Sequence, residues 1–442
     1  MAGADGIILS RSPGETRLAL MAGDTPVEFL IDRGGAGAGD ILLGRVLSVN
    51  RALDAAFIDI GEALAAFLPR PGALSEGDVV LVQVTGAAQA IGRADGKGAG
   101  VTRAISLQGG LLALTPFRPG LNLSRKIGDA GRRASLKAFL SPVLAEGEGL
   151  VVRTDAAGAR EDDLLAELAS LRARWADIVA RAATLRPPAP LVRISALERC
   201  LRLAPGARRL LVDDRAALPE ARSLVPEARF QADCFEELAG EAFDGALERH
   251  VPLSGGGRIT LDETQALTAI DIDSAGRPPQ EANLAAIAET ARQIRLRGLA
   301  GHLLIDVIPQ KDPRAVSRLL AALREALADD PTPSHVLGVT PLGMIEMTRD
   351  RLRPSLSDLM LEGAARPATA ETVALAALRA MAREADRGRP GAALRLAARP
   401  AVISHLRGRP QLLAEMAARL GRAPRLVDDP AISLFEITED PT

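Results

Sequence analysis

A chain of 442 residues that is 47% hydrophobic and 25% charged has apolar material for two to four folded units, which excludes wholesale disorder. No stretch reaches the ~18 uncharged apolar residues of a spanning helix, and MAGADGIILSRS lacks the basic-then-apolar order of an export signal, so a cytoplasmic protein without a membrane anchor is expected. Two cysteines, Cys200 and Cys234, exclude a disulfide framework and a four-thiolate zinc site, while 54 Lys+Arg against 56 Asp+Glu (net −2) leaves nucleic acid open, because binding depends on where charge sits.

In chain order, residues 1–36 read as short strands around the turn Gly23-Asp24, closed by a Gly-rich joint at 34–39. ILLGRVLSVN, AAFIDIG, AAFLP, DVVLVQVTG and VTRAISLQGGLLALTP follow as strand signals at the spacing of a small closed barrel of the OB type. A long insertion, 87–100, reads as a mobile loop between its later strands. A basic opening at 116–137 (Arg118, Arg125, Lys126, Arg132, Arg133, Lys137) leads to helices at ASLKAFLSPVL and EDDLLAELASLRARWADIVARAATL, with the strand GLVVRT between them. RPPAP at 186–190 breaks the chain. Beyond it, α/β alternation returns: RITLDE and ALTAIDID as a hairpin, EANLAAIAETARQIRLRG as an amphipathic helix, HLLIDVI as a buried strand, then a helix from PRAV, the strand HVLGVT and a helix at MIEMTRDRL. A Pro/Ala linker at 361–371 precedes a small α/β tail.

The strongest chemical signal is Asp271 and Asp273 with Asp306. Two aspartates two apart on a strand share one face, and a helix over 281–298 is long enough to bring HLLIDVI alongside as a parallel neighbour. A carboxylate on an otherwise apolar strand is costly unless paired or cation-bound; oxygen donors without Cys/His partners suit Mg²⁺ or Mn²⁺, which can activate water against a phosphodiester. Strand-end aspartates making turn bonds are the plainer alternative. In a chain with nine Phe, one Trp and no Tyr, Phe57 and Phe67 on the barrel make a stacking platform for single-stranded bases or, equally, barrel core. Lys97 in the Gly-rich loop is placed to meet phosphate. The histidines at 250, 302, 335 and 405 are scattered, and His302, four before Asp306, reads as a strand-entry residue.

These segments, in this order, resemble the ribonuclease E/G family: the barrel run ILLGRVLSVNRALDAAFIDIGEALAAFLP, then KGAGVTRAISLQGGLLALTP and LNLSRKI, GLVVRT, LDETQALTAIDID with ARQIRLRGLAGHLLIDVI, and LGMIEMTRDRLRPSL. The resemblance implies an α/β multi-subdomain fold: an RNase-H-like subdomain (1–36 and 191–250) carrying an inserted S1-like OB barrel (37–115) and a 5′-sensor (116–190), a DNase-I-like catalytic subdomain (251–360) and a small C-terminal α/β domain (371–442). It implies a Mg²⁺-dependent endoribonuclease (Mn²⁺ as a substitute) acting on single-stranded RNA, in rRNA maturation or mRNA decay and favouring 5′-monophosphorylated ends. Asp271 and Asp306 match the metal-binding aspartates, Asp273 the position of an orienting Asn, Arg153 and Thr154 the 5′-monophosphate pair, and Phe57, Phe67 and Lys97 RNA contacts; Arg125 and Lys126, from the basic run, are further candidates for RNA binding.

Three departures stand beside the match. SDLMLEGAA occupies the place of a Cys-Pro-x-Cys zinc link, so no structural zinc and no zinc-linked homo-oligomer are expected. The loop after Asp273 is short, and Pro309 stands where many members have a second Asp. An RNA-binding relative that has lost turnover is the alternative these departures support.

Overall fold

The computed structural model of the chain describes residues 4–86, 88, 96–310, 312–362, 367–387 and 393–440, in two compact units: Gly35–Ile194, and Met1–Gly34 with Ser195–Thr442. Most of the loop expected at 87–100 lies outside the described residues.

The chain opens with β1 (Gly6–Ser12), β2 (Glu15–Ala22) and β3 (Thr25–Asp32). The smaller unit follows, with β4 (Ile41–Asn50), β5 (Ala55–Asp59), β6 (Ala66–Pro69), β7 (Val79–Gly86) and β8 (Gly100–Thr102). Pairing in the order β4-β5-β6-β8-β7, with β7 returning to β4, closes a five-stranded barrel. Alternation sends Ala56, Ile58, Ala66, Leu68, Val80 and Val82 inward to its core. A second sheet takes the order β11-β12-β10-β9 from β9 (Leu107–Gln108), β10 (Leu112–Thr115), β11 (Gly120–Leu123) and β12 (Gly149–Val152). Helices α1 (Ala130–Leu140) and α2 (Glu161–Thr184) flank it, and β13 (Ala189–Val192) returns to pair with β4. Acidic residues open α2 and Arg181 closes it, as the helix dipole favours.

In the larger unit, α3 (Ala196–Leu203), β14 (Arg209–Val212), α4 (Leu218–Leu224) and β15 (Arg229–Phe230) complete a sheet ordered β15-β14-β1-β2-β3. After α5 (Glu241–Gly245) come β16 (His250–Pro252), β17 (Arg258–Glu263), β18 (Thr268–Asp273), α6 (Pro279–Arg297), β19 (Gly301–Asp306), α7 (Pro313–Ala326), β20 (Ser334–Val339) and β21 (Ile345–Arg349). These strands form a six-stranded sheet in the order β16-β17-β18-β19-β21-β20, where α6 is the crossover that makes β18 and β19 parallel. One face packs against α6 and α7 through Ile270, Ile305, Met347, Ile287, Ile294, Leu319 and Leu323; the other is open. The short α8 (Leu356–Met360), then α9 (Ala370–Arg387), β22 (Leu394–Ala398), α10 (Pro400–Arg407), α11 (Pro410–Leu420), β23 (Arg425–Asp428) and β24 (Phe435–Glu439) end the chain with a three-stranded sheet.

Two expectations change. MIEMTRDRL is no helix: Ile345–Arg349 is a strand between β19 and β20, with Ile345, Met347 and Arg349 buried in alternation. Its period of two was masked by Arg349, which is buried because Asp330 pairs with it at 2.8 Å. Helix α6, expected to be amphipathic, is buried on several sides, with Asn283, Thr290, Gln293, Arg295 and Arg297 all interior. It packs on the β16–β21 sheet while Leu296 joins Phe29 and Phe235 in another core, and Arg295 reaches the buried Glu28 of β3 at 3.0 Å.

Candidate active site and RNA-binding surfaces

Strand β18 alternates strictly, with Thr268, Ile270 and Ile272 buried and Ala269, Asp271 and Asp273 exposed. Its parallel neighbour β19 buries Leu303 and Ile305 and exposes His302 and Asp306. Register sets Asp271 directly opposite Asp306. Both carboxylates therefore project from the open face, at the C-terminal ends of parallel strands where α/β sheets place their sites. Continuing across the sheet, Thr260 lies opposite Asp271 and His250 opposite Thr260, with His250 Nδ1 and Thr260 Oγ1 3.1 Å apart.

The three aspartates are not equivalent. Asp273 Oδ1 accepts the Ala275 N–H at 3.0 Å, and its other oxygen lies 3.6 Å from Arg258 Nε. Among the described residues, neither the Asp271 nor the Asp306 carboxylate makes a hydrogen bond or an ion pair. Two solvent-facing carboxylates without an ion-pair partner among the described residues are a donor set for a hard cation. Mg²⁺ fits such a pair because it keeps several waters and needs only one or two carboxylates. No group of three or more His, Cys, Asp or Glu side chains able to hold a metal ion occurs among the described residues. Two carboxylates could supply only part of a coordination shell, leaving the rest to water and substrate oxygens. His302 faces the same side, opposite Thr348 of β21.

On the barrel, Phe57 and Phe67 are cross-strand partners, their rings edge-to-face at 6.1 Å. They point outward, away from the Ala56/Ile58 core; Phe57 is half-buried and Phe67 is 39% exposed. Exposure of the pair outside the apolar barrel core is what a stacking platform requires. Lys97 is exposed, and just beyond it Ala99 accepts the Phe67 N–H at 2.8 Å, so the cation is carried along the edge of β6.

In the four-stranded sheet, parallel strands β11 and β12 end side by side at Leu123 and Val152, just before Ser124 and Arg153. Ser124 Oγ and Thr154 Oγ1 lie 3.1 Å apart, the Arg153 N–H donates to Leu111 O at 2.8 Å, and the Arg153 guanidinium donates to Gly109 O. Glu167 of α2 fixes that loop by accepting from the Leu111 and Leu112 N–H groups at 2.9 Å each. Its carboxylate lies so close to Gly109 that a Cβ there would come within 2.0 Å, which only glycine avoids. Arg125 and Lys126 are exposed beside Ser124. The result is a surface patch of guanidinium, ammonium and two hydroxyls suited to a terminal phosphate.

The ribonuclease E/G family model matches residues 106–352, more than half of the chain. The chain belongs to the ribonuclease E/G family. Among its relatives are ribonuclease G of Haemophilus influenzae, 28% identical over 433 residues that span 85% of this chain and 87% of that protein. Ribonuclease E of a Nostoc species is 30% identical over 77% of this chain and 55% of its own length. Ribonuclease E of Escherichia coli is 31% identical over 78% of this chain but only 36% of its own length.

In this ribonuclease E/G chain the matched span holds both the Arg153 patch and the Asp271/Asp306 pair. Not every cation of the basic run is free for ligand. Arg132 donates to the carbonyls of Ala157 and Ala159 at 2.8 and 2.7 Å, and Arg133 to that of Ser124 at 2.5 Å, so both shape the patch from beneath. Ser124, Gly109 and Glu167 were invisible as functional positions, since nothing in their spacing ties them to Arg153. Burial pushes the Cys234 thiol up to about 12 and the Cys200 thiol higher still, so neither offers a thiolate near neutral pH.

Proposed function

We propose that this endoribonuclease cleaves single-stranded RNA at the open face of the β16–β21 sheet, with Asp271 and Asp306 holding Mg²⁺ or Mn²⁺. The observation that carries the reading is the in-register, solvent-facing carboxylate pair on neighbouring parallel strands. A divalent ion bound there would supply charge neutralisation at the scissile phosphate and acidify water for attack on phosphorus. Asp271 and Asp306 hold their carboxylates toward the substrate because their neighbours Ile270, Ile272 and Ile305 are locked into the core. Asp273, tethered to Ala275 and Arg258, would accept a hydrogen bond from water and so orient it beside them.

The six-stranded sheet corresponds in this reading to the DNase-I-like subdomain, β1–β3 with β14–β15 to the RNase-H-like one, the barrel to the S1-like domain and the β9–β12 sheet to the 5′-sensor. Phe57, Phe67 and Lys97 would bind RNA by stacking and phosphate contact; Arg153 and Thr154, with Arg125 and Lys126, would hold a 5′-monophosphate. The reading extends to a cytoplasmic role in rRNA maturation or mRNA decay, and any association between copies would do without a Cys-based zinc link, since the α8 segment that stands there has no cysteine. Asp271→Asn and Asp306→Asn should each reduce cleavage at least a hundredfold while RNA affinity, read by fluorescence anisotropy, stays within threefold. Cleavage persisting in both variants would refute the assignment.

The compact turn after Asp273, with Ala275 at φ 47° and Gly276 at φ 84°, favours a second reading, an RNA-binding protein without turnover. Such a protein would bind RNA in a salt-dependent manner and cut it under no divalent condition.

A further inference from the structure

We propose that Asn283 of α6 is a positioning residue for Asp306, setting where that carboxylate stands relative to Asp271; this rests on the assignment of Asp306 as a metal ligand. Strand β19 loses its neighbours at the point where the chemistry begins. Its ladder with β21 ends at Ile305–Ile345, and its ladder with β18 ends at Asp271–Asp306. Two residues further on, the backbone of Ile308 is taken over by one side chain: Asn283 Oδ1 accepts the Ile308 N–H at 3.0 Å, and Asn283 Nδ2 donates to the Ile308 carbonyl at 2.8 Å. The carboxamide thus replaces a neighbouring strand, offering the one acceptor and one donor that an edge peptide needs.

Several features make this more than incidental satisfaction of a loop. Asn283 is completely buried and lies in the second turn of a helix, a setting that asparagine disfavours by propensity and that costs desolvation unless every polar atom is matched. Its two bonds meet that cost. Val307 between the anchor and Asp306 is buried in the sheet core, and Pro309 immediately after has a fixed φ and no N–H. Asp306 is therefore held between the β18 ladder on one side and the Asn283 clamp on the other. Freeing the clamp would let the end of β19 drift by fractions of an ångström, which a two-carboxylate site tolerates poorly. Groups that hydrogen-bond a metal ligand directly commonly contribute ten- to a hundredfold in metal affinity, and a clamp two residues along the same strand should act at the lower end of that range.

The test is Mn²⁺ binding to the RNA-free protein by electron paramagnetic resonance, on wild type, Asp306→Asn, Asn283→Leu and Asn283→Asp. Leucine keeps the volume and removes both bonds; aspartate keeps the oxygen that accepts the Ile308 N–H. The expected order is an approximately tenfold weaker site in Asn283→Leu, a smaller loss in Asn283→Asp and no site in Asp306→Asn, with kcat for RNA falling in step and KM within twofold. Wild-type Mn²⁺ affinity in a folded Asn283→Leu, or in Asn283→Asp should the leucine variant fail to fold, overturns the proposal provided that Asp306→Asn has lost the site. Wild-type affinity in Asp306→Asn instead removes the metal assignment itself.

Discussion

Arg153 shows how little of a residue's role lies in its own charge. Its N–H and guanidinium are both tied to the Gly109–Leu111 loop, so the side chain stands in one orientation with its remaining donors available beside the Ser124 and Thr154 hydroxyls. Arg153→Ala should abolish any preference for 5′-monophosphorylated over 5′-hydroxylated RNA in initial rates, while cleavage of the 5′-hydroxyl substrate stays within twofold. A preference that survives would disprove the phosphate assignment. Asp213, by contrast, carries a stability prediction. Burial pushes its carboxyl up to about 6, against the opposing hydrogen bonds from Ser10 and the Arg11 N–H. A carboxyl protonated more readily in the folded chain stabilises in its neutral form, so its contribution is lost as pH rises from about 4 through about 6. At pH 7.5 the ionised form costs roughly 3 kcal/mol, and Asp213→Asn should raise Tm there and change it little at pH 4. Equal effects at both pH values would show that the carboxyl titrates normally.

Elements were legible where one periodicity dominated. The β18–α6–β19 crossover could be read because two short apolar runs flank a helical segment of the right length, and that reading alone places Asp271 next to Asp306. What could not be read was register beyond that pair, or the polar interior of α6, because Asn283 and Arg295 are buried through partners distant in sequence. Strand β21 was hidden for the same reason, its inward Arg349 being matched by Asp330 from the preceding loop. On the barrel, the alternation of β5 and β6 already decides that Phe57 and Phe67 face outward, once Ala56, Ile58 and Leu68 are seen to fill the core. Since stacking on an aromatic contributes about 1–3 kcal/mol per base, Phe67→Ala should weaken binding of a short single-stranded RNA by roughly tenfold or more and leave kcat at saturating RNA within twofold. A change in kcat with unaltered affinity would place Phe67 outside the RNA contact.

At the scale of the whole molecule, the chain divides its labour. The Gly35–Ile194 unit carries the aromatic pair and the Arg153 patch, whereas the larger unit carries the carboxylates. Within that larger unit helix α9 is fixed to β2 through a buried ion cluster, in which Glu15 meets Arg17, Arg33 and Arg379. Burial alone would raise the Glu15 carboxyl, but the three guanidinium groups outweigh it and hold it at about 2. None of this cluster was legible, because its members lie as much as 364 residues apart. The central claim concerns the larger unit: that cleavage is metal-dependent and passes through Asp306. The most direct measurement is the rate of cutting of a short fluorescent 5′-monophosphorylated single-stranded RNA, with Mg²⁺ and with EDTA, by wild type and by Asp306→Asn. Cutting by wild type in Mg²⁺ alone, and by neither protein in EDTA nor by the variant in Mg²⁺, is the predicted result; binding without cutting in Mg²⁺ and in Mn²⁺, or cutting that survives EDTA, would contradict it.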